Sequence, residues 1–79
     1  AKNYAKAIEY GTRAVSQGNA NEETRLLTAQ SYYLQPDYKG AISFLETWLA
    51  ESEKAGTAPS ENAVGLYLSS CIKLEDDAC

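Results

Sequence analysis

Asp37–Leu45 reads DYKGAISFL, and its opening pattern occurs once before, where Asn3–Ile8 reads NYAKAI. In both places a small polar residue precedes a tyrosine, and an Ala-Ile pair begins three residues after that tyrosine. The second copy lies 34 residues after the first. A capping residue followed by apolar residues at this spacing is typical of the start of an amphipathic helix. A return at a fixed period of this size indicates a chain built from stacked repeats.

Four segments with helical periodicity surround these two patterns. Tyr4–Val15 and a segment from Tyr38 to about Ala55 carry apolar residues at the same offsets. Between them, Asn21 is a good N-cap and Pro36 prevents continuation of a helix. A fourth helix is expected after Ser60. Its predicted apolar stripe comprises Val64, Tyr67, Leu68, Cys71 and Ile72. No long stretch alternates with the period of a strand, so the sequence predicts an all-α fold of about four antiparallel helices.

A 34-residue period of helix–turn–helix units is typical of tetratricopeptide (TPR) repeats. The sequence resembles that family over nearly its whole length, above all in its D-Y-x-x-A-I opening at Asp37–Ile42. Ala29 and Ala41 match the two small residues at which the helices of a repeat cross, and Tyr32 matches the aromatic residue of the first helix. The resemblance implies an α-solenoid fragment in which helix pairs stack into a right-handed superhelix.

The match to the family pattern is incomplete at several positions. Thr28 lies where the family prefers a large aliphatic residue, Arg25 replaces a common tryptophan, and Trp48 lies where a small residue is usual. The third unit is offset by 39 residues, which implies an insertion of about five residues around 56–60. Leu68 then occupies the small crossing position, so the third unit is the most divergent.

The repeat register implies one domain over residues 1–79. Residues 2–18 would form the second helix of a partial repeat, and residues 21–55 a full repeat. Residues 60–79 would form the first helix of a third repeat and the start of the next helix. The chain is therefore expected to be a window from a longer array, with apolar surface at both cut ends. We expect such a fragment to self-associate through those ends.

The composition argues against several classes of function. A net charge of −4 with seven Lys and Arg residues provides no basic face for nucleic acid. No apolar run is long enough to insert across a membrane. The sequence contains no histidine, so the usual general base and a common metal ligand are missing. The acidic run Glu75–Asp77 is more typical of a helix start than of a metal site. We therefore predict no catalytic residues, no cofactor and no bound metal.

The two cysteines, Cys71 and Cys79, allow two interpretations. On one continuous helix they would lie roughly 12 Å apart, beyond the reach of a disulfide. A bridge would need a turn between them. The alternative is one packed thiol and one incidental thiol.

In the TPR family, the first helices of successive repeats line a concave face that binds peptides or proteins. The resemblance implies that the following residues face it: Glu23, Leu26, Gln30, Tyr33 and Leu34 in the full repeat, and Asn62, Gly65, Ser69, Ile72 and Lys73 in the last. Leu26 and Leu34 could equally pack against neighbouring repeats. Chaperone-binding members hold a peptide carboxylate with Lys and Asn, whereas this chain has Leu26, Gln30, Gly65 and Ser69 at the corresponding positions.

The predicted function is therefore a non-catalytic scaffold that binds a protein or peptide partner, with Tyr33 as an aromatic anchor. Two alternatives remain open: repeats that serve only as a structural spacer, and an accessory segment of a larger enzyme. The degenerate repeats and the acidic ending lean toward a bacterial protein, either cytoplasmic or exported.

Overall fold

The computed structural model describes residues 3–75. Four helices follow one another along the chain: α1 (Tyr4–Ser16), α2 (Glu22–Leu34), α3 (Tyr38–Ala55) and α4 (Glu61–Leu74). No strand occurs between residues 3 and 75, so the all-α prediction is confirmed for this part of the chain. The expected start of a further helix after α4 lies outside the described residues.

Each helix begins at a side chain that accepts a hydrogen bond from a free backbone N–H of the first turn. Asn3, Asn21, Asp37 and Ser60 accept from the N–H groups of residues 6, 24, 40 and 63. Because the first N–H groups of a helix have no partner within the helix, each cap fixes a starting point. Asn3 and Asp37 lie 34 residues apart and each caps a helix, so the sequence repeat corresponds to a repeat of the same helix start.

Turn residues end the helices where the sequence predicts. Gly56 has a left-handed conformation, with φ of 74°, and its N–H and that of Thr57 bond to carbonyl groups of the last turn of α3. Helix α2 ends at Leu34, two residues before Pro36.

Helix α2 lies at the centre of the molecule and contacts α1, α3 and α4, while α3 also contacts α4. Among the described helices, α1 contacts only α2. Arg25 near the start of α2 pairs with Glu51 near the end of α3, at 2.7 Å, which shows that these two helices run antiparallel. The Ser60 hydroxyl donates to the Glu22 carboxylate, so α2 and α4 begin side by side.

The core is formed by small residues at helix crossings and by large residues of α3. Ala29, Leu45, Trp48 and Ala63 form one buried cluster between α2, α3 and α4. Ala29, Ala41 and Ala63 are fully buried, so the backbones of the crossing helices can approach closely. The predicted crossing positions Ala29 and Ala41 thus both lie in the interior.

The contact between α1 and α2 depends on a residue without a side chain. Gly11 is buried against Thr28, and a Cβ atom at position 11 would lie 2.7 Å from the Cβ of Thr28 and overlap its hydroxyl. That hydroxyl donates to the Thr24 carbonyl at 2.8 Å, so burial leaves no unsatisfied hydroxyl group. Thr28 is thus smaller than the aliphatic residue usual in the family, and α1 approaches α2 closely at this position.

The apolar residues predicted for α4 divide between the surface and the interior. Leu68 and Ile72 are 52% and 75% exposed, whereas Ala63, Ser70 and Cys71 are buried. The repeat register assigned Ile72 to the concave face and Leu68 to the crossing with a following helix, which lies outside the described residues. The small residues of α4 turn toward α2 and α3, and Ala63 and Ser70 have no exposed surface.

Cys71 is disulfide-bonded, and the described part of the chain contains no free thiol. Of the two interpretations left open by the sequence, the packed free thiol at Cys71 is therefore wrong. Glu75, with φ of 58°, ends α4 in the left-handed conformation. The only other cysteine, Cys79, lies outside the described residues.

Candidate partner-binding surfaces

One exposed face of α2 runs along the whole helix and is partly apolar. It contains Glu23, Leu27, Gln30 and Leu34, which follow one another at three- and four-residue intervals and are all exposed. Leu27 and Leu34 are 57% and 55% exposed. We call these four residues the inner ridge. A ridge with two exposed leucines next to polar groups is the kind of surface that a partner protein covers.

Helix α4 lies beside α2 and adds a second exposed row. Leu68 and Ile72 lie one turn apart, with the exposed Gly65 one turn before Leu68. Because α2 and α4 are in contact, the two helices present apolar side chains on neighbouring elements. Leu68 and Ile72 point away from the core because the small residues Ala63 and Ser70 occupy the buried side of α4.

The residues predicted for the site differ in their accessibility. Glu23, Gln30, Asn62, Ser69 and Lys73 are exposed, as are the further predicted residues Leu34, Gly65 and Ile72. Leu26 is half-buried and packs against the core cluster. Tyr33 is half-buried, with its ring edge-on to Tyr38 at a centroid distance of 5.3 Å. These two side chains therefore contribute to packing as well as to the surface.

Sequence reasoning missed Leu27 and Leu68 as exposed residues. The spacing contained the signal for Leu27, because it lies four residues after Glu23 and three before Gln30, both of which were assigned to the exposed face. Leu68 was assigned to a helix crossing by the repeat register, and the helix that would cross it lies outside the described residues.

A cleft lies on the opposite side of α2, between α1 and α3. Its volume is about 310 Å³. We call it the outer cleft, and it is lined by Thr12 and Val15 of α1, Arg25 and Tyr32 of α2, and Gly40, Ser43, Phe44, Thr47 and Trp48 of α3. Arg25 and Tyr32 are about half a helical turn from Leu27 and Leu34, so the outer cleft and the inner ridge face opposite directions.

Tyr32 is the residue of the outer cleft whose titration is altered. Burial, and to a lesser extent the nearby Asp37 carboxylate, raises the pKa of Tyr32 above its ordinary value of 10.0. Its ring lies 6.1 Å from that of Phe44, measured between centroids. The phenol therefore stays neutral at physiological pH and contributes an aromatic face with a polar end.

Within residues 3–75 there is no group of three or more His, Cys, Asp or Glu side chains that could hold a metal ion. None of the helices in this range is long and apolar enough to cross a membrane. The exposed features described above are the inner ridge, the neighbouring face of α4 and the outer cleft.

Four capped helices, a 34-residue return and alanine-lined crossings define a protein of the TPR-type repeat class. Within that class, the chain belongs to the family described as Anaphase-promoting complex, cyclosome, subunit 3, whose model matches residues 1–76. The predicted TPR identity is thereby confirmed. Comparisons with curated proteins and with solved structures gave no match.

Proposed function

We propose that this chain is a non-catalytic scaffold segment that holds another protein against the inner ridge. TPR-type repeat families are generally non-catalytic and serve as protein-interaction scaffolds. The observation that carries the proposal is the exposure of Leu27 and Leu34 on one face of α2, beside the exposed Leu68 and Ile72 of α4. Covering exposed leucine and isoleucine side chains contributes to binding, since each fully buried one is worth about 1.5–3 kcal/mol.

The family description names a subunit of a multi-protein complex, the anaphase-promoting complex or cyclosome. We infer that the parent protein works inside an assembly of this kind and that its partner is another subunit. In such an assembly the inner ridge would take an extended segment or a helix whose apolar side chains fit between α2 and α4. Glu23, Gln30, Asn62, Ser69 and Lys73 would form the polar rim of this contact.

Interaction analysis of the intact parent protein tests the proposal. A double substitution, Leu27→Glu and Leu34→Glu, places charges on the inner ridge at positions that are exposed and lie outside the core. Tyr10→Glu is the matched control, because Tyr10 is 72% exposed and lies on α1. We expect partner subunits to be lost from the purified double variant and retained by the control. Retention by both variants, or equal loss from both, would contradict binding at the inner ridge.

A spacer role makes a different prediction for the same experiment. If the repeats only set the distance between other parts of the protein, no substitution on the exposed face should change which proteins co-purify, provided that the helices remain folded. Circular dichroism of each variant in the far ultraviolet tests whether the helices remain folded. The exposed positions of Leu27 and Leu34 make intact folding the expected result.

A further inference from the structure

The outer cleft has no part in the function proposed for the inner ridge, since it lies on the other side of α2. Its volume of about 310 Å³ is roughly twice that of the ~150 Å³ engineered cavity that binds benzene. Val15, Phe44, Trp48 and Tyr32 provide apolar surface around it. The cleft is therefore large enough for a bulky side chain of another molecule, and its lining suits an apolar one.

The walls of the outer cleft are held in place by packing. Trp48 is a buried member of the core cluster, and Phe44 packs against that cluster. Gly40 permits the close approach of α3 to Tyr32, because a Cβ atom at position 40 would lie 2.6 Å from Cδ1 of the Tyr32 ring. The cleft is thus preformed, and a ligand would not have to order its walls on binding.

Arg25 gives the outer cleft a charge preference. It is the one lysine, arginine, aspartate or glutamate among the described residues that line the cleft. Its side chain is 20% exposed, so solvent screens the guanidinium less than it would a fully exposed cation. A guanidinium has five N–H donors, and Nη1 of Arg25 donates to the Glu51 carboxylate. On a chain of net charge −4, this guanidinium is the one cation among the described residues that line the cleft, and the carboxylates of Glu51 and Asp37 nearby offset part of its charge.

We propose that the outer cleft binds a segment of a partner protein that inserts an aromatic or large aliphatic side chain and places a carboxylate beside Arg25. The apolar walls take up the side chain, and the guanidinium donates to the carboxylate oxygens. The Thr12 and Thr47 hydroxyls donate to carbonyl groups of their own helices and can accept from backbone N–H groups of the segment, while the Ser43 hydroxyl can donate or accept. This site is independent of the inner ridge, and neither binding event requires the other.

Glu51 does not prevent this contact. Its side chain is 49% exposed, so it can turn toward solvent or share the guanidinium with the incoming carboxylate.

Nuclear magnetic resonance titration of the ¹⁵N-labelled chain tests the proposal with two probes that differ in one group. N-acetyl-tryptophan has an aromatic side chain and a carboxylate, and N-acetyl-tryptophanamide has the same side chain without the charge. We expect both to shift the amide signals of Thr12, Tyr32 and Thr47, with the acid binding in the millimolar range, about fivefold more tightly than the amide. Arg25→Gln should reduce the affinity for the acid to that for the amide.

Two further variants make the result specific to the cleft. Arg13→Gln removes an arginine that pairs with Glu9 in an exposed i,i+4 bridge away from the cleft, and it should bind both probes like the unchanged chain. Ser43→Trp fills the cleft from an exposed position and should abolish binding of both probes. Equal affinities for acid and amide, saturable shifts centred on Leu27 and Leu34 instead, or no saturable shift would each overturn the proposal.

Discussion

At the scale of single residues, the packing of α1 depends on the missing side chain of Gly11. Thr28 fills the space that a larger residue would occupy in the family pattern, and its hydroxyl group already bonds to the Thr24 carbonyl. A methyl group at position 11 would force the two helices apart or break that hydrogen bond. At Gly65 in α4, by contrast, an added methyl group would meet nothing within 4 Å, so the two helical glycines differ in what surrounds them.

We therefore expect Gly11→Ala and Gly65→Ala to change stability in opposite directions. Overpacking at position 11 should lower the free energy of unfolding by about 1–3 kcal/mol. Gly65→Ala should raise it by up to about 1 kcal/mol, because alanine favours the helix. Urea unfolding followed by circular dichroism measures both. A stabilised Gly11→Ala variant would show that α1 does not approach α2 at this position.

Tyr32 provides a prediction about alkaline pH. Burial and the Asp37 carboxylate raise the pKa of this phenol in the folded chain, so above pH 10.0 the unfolded chain loses the proton first. The stabilisation is fully present below the pKa of the unfolded chain and is lost as pH rises through that of the folded chain. We expect the free energy of unfolding to fall above about pH 10 and Tyr32→Phe to reduce this fall. An unchanged alkaline slope in the phenylalanine variant would contradict the environment described for Tyr32.

At the scale of the helices, α3 is the element on which the repeat depends most. It provides four buried residues, Ala41, Ile42, Leu45 and Trp48, and it contacts both α2 and α4. Ala41 has no exposed surface and recurs at the repeat period as Ala7. This position is where a small residue allows close helix packing.

Ala41→Leu should be among the most damaging single substitutions. We expect it to lower the free energy of unfolding by about 1–3 kcal/mol, because the added methyl groups have no space between the helices. Ala50→Leu is the control on the same helix, since Ala50 is exposed and leucine has a similar helix propensity. Thermal unfolding of both variants measures the difference. Equal midpoints would mean that Ala41 is not at a helix crossing.

Sequence reasoning predicted the helices well because their ends are determined locally. Asn21, Asp37 and Ser60 cap helices through hydrogen bonds within three residues, and Gly56 ends α3 through its own backbone conformation. Which small residues of α4 enter the interior could not be predicted in the same way. It depends on how Ala63 and Ser70 fit against α2 and α3, which the sequence of the helix itself does not specify.

The exposed face of α2 can be predicted from the sequence, and the outer cleft cannot. The exposed positions of Glu23 and Gln30 follow from helical spacing, as do those of Leu27 and Leu34. The outer cleft was not anticipated from the sequence. It is formed by residues of three helices, and its volume depends on the distance between α1 and α3, which make no direct contact with each other in the described structure.

At the scale of the whole molecule, large exposed apolar residues occur on three of the four described helices. Tyr10 lies on α1, Leu27 and Leu34 on α2, and Leu68 and Ile72 on α4. Repeat proteins cover such surfaces with neighbouring repeats or with partners.

We expect this chain to self-associate as its concentration rises. Light scattering from micromolar to millimolar concentration should show the mean mass increasing above that of one chain. A double variant, Leu68→Lys and Ile72→Lys, should remain closer to a monomer, because it adds two charges to the open face of α4. A strictly monomeric unchanged chain at millimolar concentration would show that these apolar residues do not attract one another in water.

The central claim is that the inner ridge is the surface through which this repeat segment holds a partner. Photo-crosslinking in the intact parent protein tests it most directly, with benzoylphenylalanine placed at Leu34 in one variant and at Tyr10 in another. Both positions are exposed, on α2 and α1 respectively. The account predicts a crosslinked product with a second polypeptide from position 34 and none from position 10. No crosslink from position 34, or the same product from both positions, would contradict it.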